Sequence, residues 1–149
     1  MTIDLRSACS DDYAFALSLY VETIKPLART WGEWSDEDQL AQFASLWRPA
    51  DTRIITLSGG EDIGWVEFRL TGDEIFLKQL YISPAHQRRG IGSRVMQRLM
   101  EELRGTARTM ALFVLKNNPA FRFYKRHGFS IAQETRTKFV MRREIDKAA

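Results

Sequence analysis

Apolar residues recur along this chain with two periods, and the changes of period mark its elements. From Ile91 the apolar positions are Ile91, Val95, Met96, Leu99 and Leu103. That spacing puts them on one face of a helix. Just before it, Glu74 to Ile82 reads as a strand, ended by Ser83-Pro84 because proline has no N–H to give a ladder. Between the two lies a short basic loop, Ala85 to Arg89, and the helix opens at Gly90 or Ile91. This strand–loop–helix unit, Leu77 to Arg104, organises the rest of the chain.

Upstream, Ile3 to Arg6 reads as an edge strand. Asp11 to Thr23 reads as a helix capped by Ser10, with Tyr13, Ala16, Leu17 and Tyr20 inward. Pro26 is expected to end or kink it, with Leu27 to Trp31 adding a turn or two. A turn at Trp31-Gly32-Glu33-Trp34 leads to a second helix, capped by Ser35, with acids in its first turn. Leu40, Phe43, Leu46 and Trp47 are its expected inner face, and Pro49 stops it. Arg53 to Leu57 and Ile63 to Leu70 alternate as strands and form an antiparallel meander with the organising strand. Val66, Phe68 and Leu70 fall on one face of the second strand, and Trp65, Glu67 and Arg69 on the other.

Downstream, Gly105 is placed as a helix C-cap. Thr109 to Leu115 is apolar on both faces, as in a central covered strand. Strand, helix, strand implies a parallel pair joined by a right-handed crossover. Asn118 as N-cap and Pro119 at the first position open a short helix that ends at Gly128. A strand around Ile131 and another from Lys138 to Glu144 complete the pattern, and the last few residues look loose. Periodicity alone gives an α/β domain with a mixed sheet.

At 149 residues and 44% hydrophobic, the chain, residues 1–149, reads as a single domain with a sizeable core. No apolar run is long enough for a membrane span, and no h-region marks a signal peptide. Cys9 is the one cysteine. An internal disulfide is therefore ruled out, and a reducing, cytoplasmic compartment is expected. Two scattered histidines and one cysteine give no metal spacing, so no metal is expected. A net charge of +3 is mild for a nucleic-acid binder, and the aromatics sit at core periods rather than among the arginines. No nucleic-acid or membrane partner is expected.

The loop carries the chemistry. A helix start leaves backbone N–H groups unpaired and partially positive. Arg88 and Arg89 add two charges, while Gly90 and Gly92 let a ligand approach the backbone. Such a turn suits a phosphate or pyrophosphate. A dinucleotide fingerprint would need a third glycine where Val95 stands, and a P-loop would need Gly-Lys-Ser/Thr, which is absent.

The string Gln87-Arg88-Arg89-Gly90-Ile91-Gly92 resembles the Gln/Arg-x-x-Gly-x-Gly/Ala motif of the GNAT N-acetyltransferase superfamily, at the same strand-to-helix position. A second stretch, Asn117 to Phe129, resembles that superfamily's Asn-x-x-Ala-x-x-apolar-Tyr-x-x-x-Gly-Phe signature at every fixed position. The resemblance implies the GNAT fold: a mixed, mostly antiparallel central sheet of about seven strands flanked by about four helices. It also implies acetyl-CoA as co-substrate. Gln87, Arg88, Arg89, Gly90, Ile91, Gly92 and Ser93 would hold its pyrophosphate. Backbone groups of Leu80, Tyr81 and Ile82, together with Asn117 and Phe123, would hold its pantetheine arm. Tyr124 would lie near the thioester sulfur, where a phenol can protonate the departing thiolate.

The general base stays open among Glu74, Glu67, Glu22 and a water chain. Cys9 sits in no nucleophile motif, so direct attack in a ternary complex is favoured over a covalent relay. The expected acceptor is the amine of a small molecule or a protein. Trp31, Trp34, Glu22 and Glu33 are available to a cationic one. A non-catalytic acyl-CoA-binding sensor is the alternative on the same fold, and a homodimer is compatible with the resemblance.

Overall fold

The structure, a computed structural model, describes residues 2–145. The tail expected to be loose lies mostly outside that range. Seven strands make one sheet in the order β1-β2-β3-β4-β5-β7-β6. The chain enters through β1 (Ile3–Ser7), α1 (Tyr13–Thr30) and α2 (Asp36–Leu46). The meander follows as β2 (Thr52–Leu57), β3 (Asp62–Thr71) and β4 (Glu74–Ile82). Next come α3 (Ile91–Leu103), β5 (Thr109–Leu115) and α4 (Ala120–Arg126), then the closing hairpin of β6 (Ser130–Glu134) and β7 (Lys138–Glu144).

Alternation along β3 sorts the core into two layers. Val66 packs with Val95, Met96 and Leu99 of α3 and with Tyr124 of α4. Its neighbour Trp65 points the other way, onto Ala16 and Leu19 of α1 and Phe43 of α2. Ile63 to Glu67 is therefore buried on both faces, and the Trp65 indole donates to the Ala16 carbonyl at 3.1 Å. At Gly64 an added methyl would run into the Tyr81 carbonyl, so only glycine lets β3 approach β4 there.

Two features of β4 create the site. Glu67 pairs with Gln79 but Phe68 pairs with Leu77, so Lys78 is an extra residue, a β-bulge that bends the strand. On the other side β4 pairs in parallel with β5 only from Glu74↔Thr109 to Leu77↔Leu112. Beyond Leu77 the two strands part, although β4 continues to Ile82 and β5 to Leu115.

Several expectations are corrected. Ser10 begins a 3-10 turn, Ser10–Asp12, rather than capping α1. Asp12 turns its carboxylate back onto the Cys9 N–H and the Arg6 guanidinium. α1 runs through Pro26 to Thr30. An interior proline, through its lost N–H bond and its ring's clash with the preceding turn, costs about 3 kcal/mol or more, and tertiary anchors hold the helix on past it. Ala28 is buried, and the Leu27 carbonyl accepts from Asn117. In α2 only Phe43 is buried, whereas Leu40 and Leu46 face solvent. The short helix begins at Ala120, not Pro119, although Asn118 still accepts from the Ala120 N–H. Phe113 of β5 is 52% exposed, because the parted strands leave that face uncovered.

Candidate active site

The gap between β4 and β5 is the mouth of a cleft of about 890 Å³. Its β4 wall includes Lys78, Gln79, Leu80, Tyr81 and Ile82, and its β5 wall Phe113, Val114 and Leu115. Past Leu77 the β5-facing edge of β4 has no β5 partner. Backbone groups on such an edge are open to a ligand that pairs as a strand would.

One end of the cleft is the loop before α3. Gln87 ties the loop to β4 by donating from Nε2 to the Ile82 carbonyl at 2.9 Å. Arg88 has φ +64° and Gly90 φ +76°, so left-handed turns on either side of Arg89 lead into the helix. Among the described residues Arg88 is the one non-glycine with positive φ, a costly conformation seen where function fixes the backbone. A turn of this kind ahead of a helix start is one that can seat an anion. Gln87, Arg88, Gly90, Ile91 and Gly92 line the cleft, whereas Arg89 and Ser93 stand outside its wall.

Gly92 and Phe123 meet across the helix starts. A methyl on Gly92 would come within 3.2 Å of the Phe123 ring. Phe123 lies 4.6 Å, centre to centre, from the His127 ring, and the Ser93 hydroxyl is 3.0 Å from His127 Nε2. Ser93 thus braces α4 against α3. Burial, with Arg126 and Arg143 nearby, holds His127 below its ordinary pKa, so it stays neutral at neutral pH.

Phe123 and Tyr124 of α4 also line the cleft. Tyr124 is buried, and burial pushes its pKa well above that of a free phenol. It therefore remains a proton donor across the working range. Among the described residues its hydroxyl has no hydrogen-bond partner. Tyr81 is likewise pushed upward by burial, but its hydroxyl is already given to Gln79 Oε1.

Asn117, expected on the cofactor arm, is held by two bonds inside the fold. Its Oδ1 accepts from the Trp31 indole at 2.9 Å and its Nδ2 donates to the Leu27 carbonyl at 3.2 Å. It does not line the cleft, whereas its neighbour Asn118 does. A second link, Arg136 to Glu33 at 3.0 Å, joins the β6–β7 turn to the α1–α2 turn. The two ties form a bridge beside the cleft. Neither was readable in sequence, where their partners stand far apart.

The three carboxylates weighed as bases have different surroundings. Glu74 is held by Arg142 at 2.6 Å and by the Thr109 hydroxyl at 2.8 Å. Arg142 keeps it below the ordinary carboxylate pKa, and it does not line the cleft. Glu22 lines the cleft but is exposed. Glu67 is 4% exposed and faces a side chamber of about 100 Å³ with Tyr20, Phe43, Trp47, Trp65 and Gln79. Gln79 and Tyr20 also line the main cleft. Burial raises the Glu67 pKa, against the opposing pull of Lys78. Lys78 Nζ lies 3.5 Å from Oε2, near enough for charge attraction but without hydrogen-bond geometry, since Oε2 has no such partner. The Trp47 indole N–H is also unpartnered. Nothing in the residues around Lys78 announces a bulge.

Among the described residues no His, Cys, Asp and Glu group is arranged to hold a metal. Nor is any helix there long and apolar enough to cross a membrane. A mixed, mostly antiparallel seven-stranded sheet with four helices is the fold of solved GNAT acetyltransferases. The chain belongs to the Acetyltransferase (GNAT) family, whose model matches residues 16–129. No curated protein matches it, but many solved structures do. The PaiA N-acetyltransferase of Thermoplasma acidophilum, solved with coenzyme A, shares 18% identity at TM-score 0.74, covering 97% of this chain and 99% of its own. An acetyltransferase of Thermus thermophilus shares 22% at TM-score 0.74, covering 97% of each chain. The ribosomal-protein-S18-alanine N-acetyltransferase of Escherichia coli shares 21% at TM-score 0.73, covering 99% of this chain and 97% of its own.

Proposed function

We propose that this chain is an acetyl-CoA-dependent N-acetyltransferase that moves the acetyl group to a primary amine by direct attack in a ternary complex. The observation that carries the reading is the parting of β4 and β5 between a basic glycine turn and a buried phenol. The residues fit the co-substrate. The turn offers backbone N–H groups, Arg88 and a glycine in the left-handed region to a pyrophosphate. The open edge of β4 at Leu80 to Ile82 offers peptide groups to an amide-bearing arm. The coenzyme A held by the Thermoplasma relative supports the same assignment.

Bound acetyl-CoA supplies the activated acyl group. Tyr124, kept protonated by burial, donates its proton to the thiolate that leaves when the amine attacks. The side chamber and the cleft share Tyr20 and Gln79, which gives the acceptor's proton a route toward Glu67. The acceptor lies on the α1–α2 side, where Tyr20, Glu22 and Trp34 line the cleft.

Calorimetric titration with acetyl-CoA tests the reading. Saturable binding is expected, followed by thiol release when amines are added. Absence of binding by acetyl-CoA, CoA and a longer acyl-CoA alike would remove it.

A further inference from the structure

Lys78 is the extra residue of the β4 bulge and the first residue of β4 beyond the last β4–β5 pair. It therefore sits where the two strands part, and it lines the cleft. Its Nζ lies 3.5 Å from Glu67 Oε2, and that oxygen accepts no hydrogen bond. An amine beside a buried carboxylate with a free lone pair is the arrangement an acceptor needs in order to lose its proton.

Direction along β4 adds the second element, and it rests on the proposed acetyl-CoA reading. The anion seat follows Ile82, so an arm held along the open edge runs back through Tyr81 and Leu80 toward Gln79 and Lys78. The acyl end then arrives at the bulge. The other lysine of the cleft wall, Lys138 of β7, is exposed and pairs across from Leu115 at the far end of β5.

We propose that Lys78 is an internal acetyl acceptor, modified by the protein's own bound acetyl-CoA with Glu67 as the proton acceptor. The Lys78 ammonium gives one proton to Glu67. Its Nζ forms a bond to the acyl carbon as the carbon–sulfur bond breaks. The sulfur takes a proton from Tyr124, and the second proton lost from Nζ restores the phenol. Glu67 releases its proton to solvent, so the products are an Nζ-acetyl-lysine, CoA thiol and one proton. Acetylation removes the charge that faces Glu67 and places an amide in the acceptor's path, so the modified chain is a slower enzyme toward external amines.

The test is peptide mapping by mass spectrometry of the purified chain after incubation with acetyl-CoA alone. Acetyl at Lys78 should appear faster than at the exposed Lys125. Glu67→Gln should slow it roughly a hundredfold, the usual scale for losing a positioned base. Lys78→Arg, which keeps the charge opposite Glu67, should abolish it at that position. Gly90→Trp, which blocks the anion seat, should reduce it to the surface rate. Calorimetry on the same samples separates the two readings. Acetyl-CoA bound with Lys78 unmodified overturns this inference and leaves the proposed function standing. Labelling of Lys78 that survives Gly90→Trp, or that merely equals that of Lys125, is untemplated chemistry and also overturns it. Failure to bind acetyl-CoA removes both.

Discussion

Tyr124 shows how one side chain serves two purposes. Its ring closes the core layer with Phe129 and Val95, while its hydroxyl is left for the cleft. Tyr124→Phe should keep the packing and lose the proton. We expect kcat to fall about a hundredfold with little change in KM for acetyl-CoA, and steady-state kinetics at saturating amine would read the split. Asp12 illustrates the opposite case, a charged residue kept for stability. Arg6, first, and the Cys9 N–H hold its carboxyl below the ordinary value of 3.8. A group with a depressed folded pKa stabilises the fold above its unfolded value and loses that contribution as pH falls through the folded one. Asp12→Asn should therefore cost about 1 kcal/mol at neutral pH, a modest figure because Arg6 is half exposed. The difference from wild type should shrink below pH ~4 in denaturant titrations. At this scale the sequence identified Tyr124, Gln87, Arg88, Gly90 and Gly92 in the cleft from their motif setting. It does not show the bonds Asn117 makes, since both of its amide partners lie at α1 or its end, most of the domain away along the chain.

Among the elements, the turn before α3 is the most dependent on backbone conformation. Gly90 has φ +76° and open space around its α-carbon. A side chain there costs left-handed strain of about 1–2 kcal/mol, and its Cβ meets no other atom. Gly90→Trp should fold, with a small loss of thermal stability, and fail to bind acetyl-CoA in calorimetry. Unchanged affinity would mean the pyrophosphate lies elsewhere. The strands that bound the cleft were the most legible elements. β4, β5 and β7 run over the same residues that alternation and punctuation marked out, because each is bracketed by proline, glycine or a change of period. At Pro26 local propensity leaves open whether α1 ends or goes on, and the tertiary hold on Leu27 and Ala28 decides that it goes on to Thr30. The bulge was illegible for a related reason. Whether Lys78 is looped out depends on the register of β3 against β4, which neither strand carries by itself.

Across the whole molecule, stability and ligand binding are linked. A ligand that binds only the folded chain stabilises it by about 2.7 kcal/mol at a hundred times its Kd. For a chain of this length that corresponds to a Tm rise of roughly 5–10 °C. Scanning calorimetry with increasing acetyl-CoA should show this rise, and Gly90→Trp should lack it. The parting of β4 from β5 has a further consequence, for the order in which the fold opens. Among the described residues, β1–β4 are joined to β5–β7 across the sheet by the pairs from Glu74↔Thr109 to Leu77↔Leu112 and, just before them, by the Arg108 N–H on the Asp73 carbonyl. A sheet's middle is ordinarily its most protected region. Here the middle is a seam, fastened at one end and open along the rest, so hydrogen exchange should enter the sheet from its centre as well as its margins. A ligand lying in the seam acts as a removable eighth strand, and exchange along the open edge of β4 should slow while it is in place.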